Sequence, residues 1–272
     1  MQQRKKSSKK VTSWEVVGAQ LAEFRRSAGL TQPQLADTAK VGEDTLASIE
    51  QGRRRLKADL AELLDTILNT KRALATAVSK IPDRERYPAF AQDFVEHEQE
   101  SVTLLSYENQ VIPGLLQTPA YVTTLYANLY PPLSSAETDE AIQARLDRQV
   151  LLEREESPMM NFIIEECVLH RHMGEPEMMR QQIVHLRRCA DLPFLGLQVM
   201  LTDTDAHAGL AGPLVLLETP DHDHLAYIEG QHNGFLVDDP NMVSSYQQEY
   251  GMLRSQALSP QKTKRLLDTL LE

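Results

Sequence analysis

Asp44, Thr45, Ser48 and Gln51 are polar side chains on the outer face of one short segment whose inward positions are Leu46 and Ile49. Hydrogen-bonding groups at that spacing, on a helix with one apolar face, suit a rod laid in a DNA groove. Arg53, Arg54, Arg55 and Lys57 follow at once, either as phosphate contacts or as a merely solvated turn. A second group lies farther along. Arg145 and Arg148 stand about one helical turn apart with Gln149 beside them, and the Ile112-Pro113-Gly114 turn brings Glu108 toward a helix beginning at Thr118. Two arrangements fit these residues. One is a buried Glu108–Arg148 pair with a structural role. The other is a pocket, with Tyr121 nearby, for a small polar molecule or a partner's terminus.

Other reactive residue types carry weaker signals. Cys167, His170 and His172 lie close together, and Asp221-His222-Asp223-His224 is dense in ligand types, but neither has a zinc-site spacing. His222 and His224 are expected on an exposed turn, and His207, near Gly209 and Gly212, is expected as a solvated loop histidine. There is no phosphate-binding Gly-Lys-Ser/Thr loop, no dinucleotide fingerprint and no Gly-x-Ser-x-Gly. The expectation is therefore a binding protein without cofactor or metal, and an enzyme is the weaker reading.

The elements that must position these residues are legible from caps and periodicity. Thr12 and Glu15 make a capping box ahead of Val17, Leu21 and Phe24, and Gly29 ends that helix. Thr31 and Gln34 cap a second helix with Pro33 in its first turn and Leu35, Ala36 and Ala39 on its buried face. A third helix runs from after Gly42 through Gln51 and stops at Gly52. A fourth places Leu60, Leu63, Leu64, Ile67 and Leu68 on the core, and Lys71 to Ser79 reads as helix again.

Ile81-Pro82-Asp83 is the first clear break. The expected division is a flexible basic arm over 1–12, a helical domain over 13–80 and a second domain over 81–272. In the second domain a helix is expected from Asp83 to Gln99. Strands are expected at Val102–Tyr107, Phe162–Ile164, Leu197–Leu201, Leu214–Leu217, Leu225–Ile228 and Phe235–Val237. Helices are expected at Thr118–Leu129, Ala136–Glu153, Pro176–Ala190, Asn241–Ala257 and Pro260–Leu271. The fold class is thus a mainly α N-terminal domain of about five helices, followed by an α+β domain with a mixed or antiparallel sheet.

The ordered set Gln32, Leu35-Ala36 and Ile49-Glu50-Gln51-Gly52 resembles the helix-turn-helix of the phage-repressor-like (XRE) regulators, over roughly residues 14–72. The resemblance implies that the third helix enters the major groove of double-stranded DNA, with Glu43, Asp44, Thr45 and Ser48 at base edges. It places Gln32 and the amides at the start of the second helix, where Gln34 also stands, on a phosphate. Arg53 and Arg54 are expected on the backbone from their position just past the third helix. The chain departs from the usual pattern at Lys40, where that family commonly has Gly, and at Gly42. Farther on, Ile112-Pro113-Gly114-Leu115-Leu116-Gln117-Thr118 with Tyr121 resembles the DUF5753 domain found after the same helix-turn-helix in many regulators, including an antitoxin-like group. That likeness covers roughly residues 95–270. It implies a transcriptional regulator, with a small partner protein or small-molecule effector, and names neither a ligand nor an activity. A regulator of this kind is expected as a homodimer. The other reading kept open is a protein that mainly sequesters a partner, with conditional DNA binding.

Charge supports the division. Across 272 residues, 28 Lys and Arg face 39 Asp and Glu, a net charge of −11. Residues 1–80 hold fifteen basic and nine acidic residues, +6, whereas 81–272 carry −17. A basic module holds a polyanion while an acidic body resists non-specific sticking. The run Arg4-Lys5-Lys6-Ser7-Ser8-Lys9-Lys10 reads either as a phosphate-tracking arm or as a solvated tail. With no apolar run of membrane-spanning length, no signal peptide and only Cys167 and Cys189, a cytoplasmic protein without membrane or disulfide framework is expected.

Overall fold

The computed structural model describes residues 12–81, 87, 91–230 and 233–272. The basic arm up to Val11, Pro82, Asp83 and Phe90 lie outside the described residues. The chain divides into two compact units, Met1–Glu85 and Arg86–Glu272.

The first unit is helical: α1 (Ser13–Ser27), α2 (Gln32–Thr38), α3 (Glu43–Glu50), α4 (Ala58–Leu68) and α5 (Ala73–Val78). Both expected capping boxes form, Thr12 with Glu15 and Thr31 with Gln34, so α1 and α2 begin where side chains take up orphan amides. Leu21, Leu35, Leu46 and Leu64 are fully enclosed around the helix junction. Burial on that scale contributes about 1.5–3 kcal/mol per side chain. α1 and α3 meet backbone to backbone, because a Cβ on Gly18 would lie only 2.3 Å from the Ile49 carbonyl oxygen. Asp65 caps α5 across a loop, accepting from the Leu74 and Ala75 amides at 2.9 and 2.8 Å and from the Thr70 hydroxyl. Leu63, expected in the core, is instead 43% exposed. It falls outside the apolar stripe of α4 that carries Leu64 and Leu68 into the core beside α5.

The second unit is α+β. Its order is α6 (Gln92–Glu100), β1 (Thr103–Glu108), a 3-10 turn at Gly114–Leu116, α7 (Pro119–Ala127) and α8 (Ser135–Asp147). A 3-10 turn at Arg148–Leu152, β2 (Met159–Glu165), α9 (Glu166–Leu169), α10 (Pro176–Cys189) and β3 (Leu195–Met200) come next. A 3-10 turn at Ala208–Ala211 leads to β4 (Leu214–Glu218), β5 (His224–Glu229), β6 (Gly234–Val237), α11 (Pro240–Gln256) and α12 (Pro260–Thr269). The strands form one sheet in the order β3-β2-β1-β4-β5-β6. β1, β2 and β3 run parallel, with helical crossovers between them. β4, β5 and β6 add on as antiparallel neighbours.

Side-chain alternation divides the sheet into two packed faces. One carries Leu104, Phe162, Leu197, Leu217 and Tyr227 against α6, α7, α10 and α12. The other carries Tyr107, Ile163, Met200 and Leu216 against α11 through Val243, Tyr250 and Leu253. Met179 packs against the first of these clusters. On the α11 face a polar chain crosses the interior: the Tyr250 hydroxyl lies 2.8 Å from Asn161 Oδ1, and Asn161 Nδ2 donates to the Gly196 carbonyl at 3.1 Å.

Candidate functional site

In the first unit, α3 presents Glu43 and Asp44 exposed and Thr45 and Ser48 half-buried on its outer side. The Thr45 hydroxyl accepts from Arg54 Nη1 at 3.0 Å, while Arg53 stays exposed just past the helix. Gln32 and Gln34 are engaged internally. Gln32 Nε2 donates to Glu50 Oε2 at 2.7 Å, and Gln34 Oε1 accepts from the Thr31 amide at 2.8 Å. Their sequence-expected contact with phosphate therefore competes, for Gln32, with a bond that holds α2 to α3 and, for Gln34, with the capping box of α2.

Glu50 is the centre of that arrangement. Arg25 grips it twice, from Nε at 2.6 Å and Nη2 at 2.9 Å, and also donates to the Leu30 carbonyl. Burial alone would raise the Glu50 pKa, but the bonds from Arg25 and Gln32 hold it below the ordinary carboxylate range. The network ties α1, α2 and α3 together. Sequence reading placed Glu50 in a motif without assigning it a partner. The available signal was its position directly after Ile49 on the inward side of a short helix.

The second unit holds a cavity of about 490 Å³. Register explains its floor. Phe162, Ser106, Val215 and Tyr227 are partners in one row across β2, β1, β4 and β5, and they share a face. Glu108 and Glu229 end β1 and β5 on that face, with β4 between them. The walls come from α6, α7, α8 and the loop carrying Leu129, Tyr130 and Leu133.

Arg148 does not pair with Glu108. Its guanidinium meets Glu98, from Nε at 2.7 Å and Nη2 at 2.6 Å, in a bidentate pair that stacks over Phe94. The alternative expected from sequence, a buried Glu108–Arg148 pair, is therefore corrected: α6 delivers a carboxylate with both oxygens in line with the guanidinium fork. Burial would lower the Arg148 pKa, and the Glu98 carboxylate more than reverses this. Arg145 sits over the Tyr126 ring at 5.5 Å and makes no hydrogen bond or ion pair with any described residue. The Glu108 carboxyl makes none either. Burial, and then the Glu229 carboxylate, push Glu108 up to about 8 against the pull of Arg145 and Arg148. Burial likewise raises Glu229 at the rim, with both arginines pulling the other way.

Tyr121 and Gln149 serve this cavity from behind rather than lining it. Tyr121 is fully buried, and its hydroxyl accepts from the Ile112 amide at 3.2 Å. Gln149 Nε2 donates to the Gln117 carbonyl at 2.6 Å, Gln117 Nε2 to the Ile112 carbonyl at 2.7 Å, and Gln182 bridges the Thr118 amide and the Leu116 carbonyl. The Ile112–Thr118 run is thus a loop stapled by three glutamines and a tyrosine. It seats both arginines: a Cβ on Gly114 would lie 3.2 Å from Arg145 Nη1 and 3.6 Å from Arg148 Nη1.

His207 also departs from expectation. Its side chain is only 6% exposed, with Nε2 3.5 Å from Glu165 Oε1, and the Tyr107 hydroxyl donates to the same oxygen at 2.6 Å. His222 and His224 are exposed as expected, with His222 Nδ1 2.8 Å from Glu218. Among the described residues no three His, Cys, Asp or Glu side chains are grouped as a metal ion requires. Nor is any described helix long and apolar enough to cross a membrane.

Residues 91–269 match the family model described as a domain of unknown function (DUF5753), and residues 16–78 match that of a helix-turn-helix domain. No curated protein and no solved structure matches the chain.

Proposed function

The chain belongs to the DUF5753 family and carries a helix-turn-helix domain, and from that premise we propose that it is a sequence-specific transcriptional regulator whose second domain senses a small effector. The helix-turn-helix domain carries this reading, since that motif points to a DNA-binding regulator. The proposed regulator is of the phage-repressor-like kind, works in the cytoplasm and binds as a homodimer. Its half-sites lie about one helical turn (~34 Å) apart. α3 reads the major groove with Glu43, Asp44, Thr45 and Ser48, and Arg53 and Arg54 meet phosphate.

Two observations support the rest. The charge is +6 over residues 1–80 and −17 over 81–272, which suits a DNA-holding head on a body that avoids DNA. The cavity of the second unit is within the size range of small-molecule sites and combines apolar walls with a few unsatisfied charged groups. That favours a small molecule over a partner protein as the effector, and binding over turnover.

Fluorescence anisotropy on the protein's own upstream DNA and on scrambled DNA, at two salt concentrations, tests the reading. Binding to the upstream DNA that weakens with salt is expected. Equal affinity for both DNAs would remove sequence specificity, and no binding to either would favour sequestration of a partner.

A further inference from the structure

We propose that the cavity of the second unit takes an amphipathic zwitterion of amino-acid or dipeptide kind, its cationic nitrogen between Glu108 and Glu229 and its carboxylate on Arg145. This rests on the reading of that cavity as an effector site and names what enters it.

The argument is one of complementarity. Of the charged groups at the cavity, Arg148 and Glu98 satisfy each other, with side chains 14% and 3% exposed. Arg145, Glu108 and Glu229 make no side-chain hydrogen bond or ion pair with any described residue, although all three line the same space. A purely cationic ligand would meet the two carboxyls and be repelled by Arg145. A purely anionic one would meet Arg145 and be repelled by Glu229. A zwitterion engages all three, and its cation lets a carboxyl that burial keeps protonated ionise, the proton leaving to solvent.

The remainder of the ligand is apolar. Phe94, Tyr126, Phe162 and Tyr227 are aromatic side chains of its lining, with Phe94 and Tyr227 stacked on each other at 4.1 Å. At the mouth Leu129, Tyr130 and Leu133 are 40%, 94% and 39% exposed. Apolar side chains left open around a cavity are where a ligand's own apolar surface is covered.

Isothermal titration calorimetry on the full chain tests this with three matched probes. They are phenylalanyl-phenylalanine, its C-terminal amide and its N-acetylated form. The zwitterion should bind about ten- to a hundred-fold tighter than either blocked form, the gap expected for one lost charged contact. Glu108→Gln should abolish the preference over the acetylated form and Arg145→Gln the preference over the amide. Near pH 7, binding should also release protons, seen by repeating the titration in buffers of different ionisation enthalpy. Equal binding of all three probes, tighter binding of either blocked form, or no binding would overturn the assignment. Adding the dipeptide to the anisotropy assay separates the two readings. A dipeptide that binds but leaves DNA affinity unchanged upholds the ligand class and removes the sensing role.

Discussion

Arg148 grips Glu98 through two hydrogen bonds, at 2.7 and 2.6 Å, and so leaves Glu108 in the same cavity without a cation of its own. The pair is deeply buried, and removing one member strands the other. Glu98→Ala should therefore destabilise the second unit by about 3 kcal/mol, in the range for an uncompensated buried charge. Combining it with Arg148→Met should recover much of the loss. Urea unfolding followed by circular dichroism reads both, and a double variant no better than Glu98→Ala would show that the pair holds more than itself.

Glu108 makes stability depend on pH. Its folded pKa, about 8, lies above the ordinary carboxylate value of 4.5, because burial and Glu229 favour the protonated form. The folded state then holds a proton that the unfolded chain has released, so this contribution is full in acid and is lost as pH rises from about 4.5 to about 8. Glu108→Gln keeps the neutral state at every pH. It should unfold at a higher temperature than the parent at pH 8 and at nearly the same temperature at pH 5. A constant difference across that range would place the Glu108 carboxyl in water.

Lys40 adopts a left-handed backbone, φ 54°, in the turn between α2 and α3. That conformation is strained for a side chain bearing a Cβ. Lys40→Gly should stabilise the helical unit by about 0.5–1 kcal/mol, the relief of strain exceeding the added entropy of the unfolded chain. Thermal unfolding of the full chain, scored on the helical unit's transition, decides it. A loss would mean that the Lys40 side chain makes a favourable contact.

Much of this architecture was legible in the sequence, and the reason is local. Caps such as Thr12 with Glu15 and strands such as Leu197, Val199 and Leu201 advertise themselves within a few residues. Strand ends were off by up to three residues; β2, for instance, runs Met159–Glu165 where Phe162–Ile164 was expected. The cavity was legible only in part. Glu108, Arg145 and Arg148 were singled out correctly as neighbours, but the partner of Arg148 depends on how α6 packs against the sheet, and nothing near Glu98 in sequence announces that. The place of Glu229 opposite Glu108 exists only once β4 is inserted between β1 and β5. His207 read as solvated because the loop that buries it returns to β2 from far along the chain.

The outer face of α3 separates reading from holding. Arg53 lies exposed past the helix end, where it meets only backbone phosphate in the proposed complex. Arg53→Ala should weaken binding by a similar factor on every sequence and reduce the salt slope by about one. In the proposed complex Glu43 and Ser48 face base edges. Glu43, acidic at the helix start, is repelled by phosphate and suits a cytosine amino group. Glu43→Ala or Ser48→Ala should relax the preference at one base position by about 1–3 kcal/mol while leaving the salt slope intact. Arg54→Ala combines both effects, because Arg54 also holds the Thr45 hydroxyl at 3.0 Å. Anisotropy titrations of each variant against a panel of single-base operator changes read these signatures. An equal loss on all sequences from Arg53→Ala, Glu43→Ala and Ser48→Ala alike would mean that α3 does not read the groove.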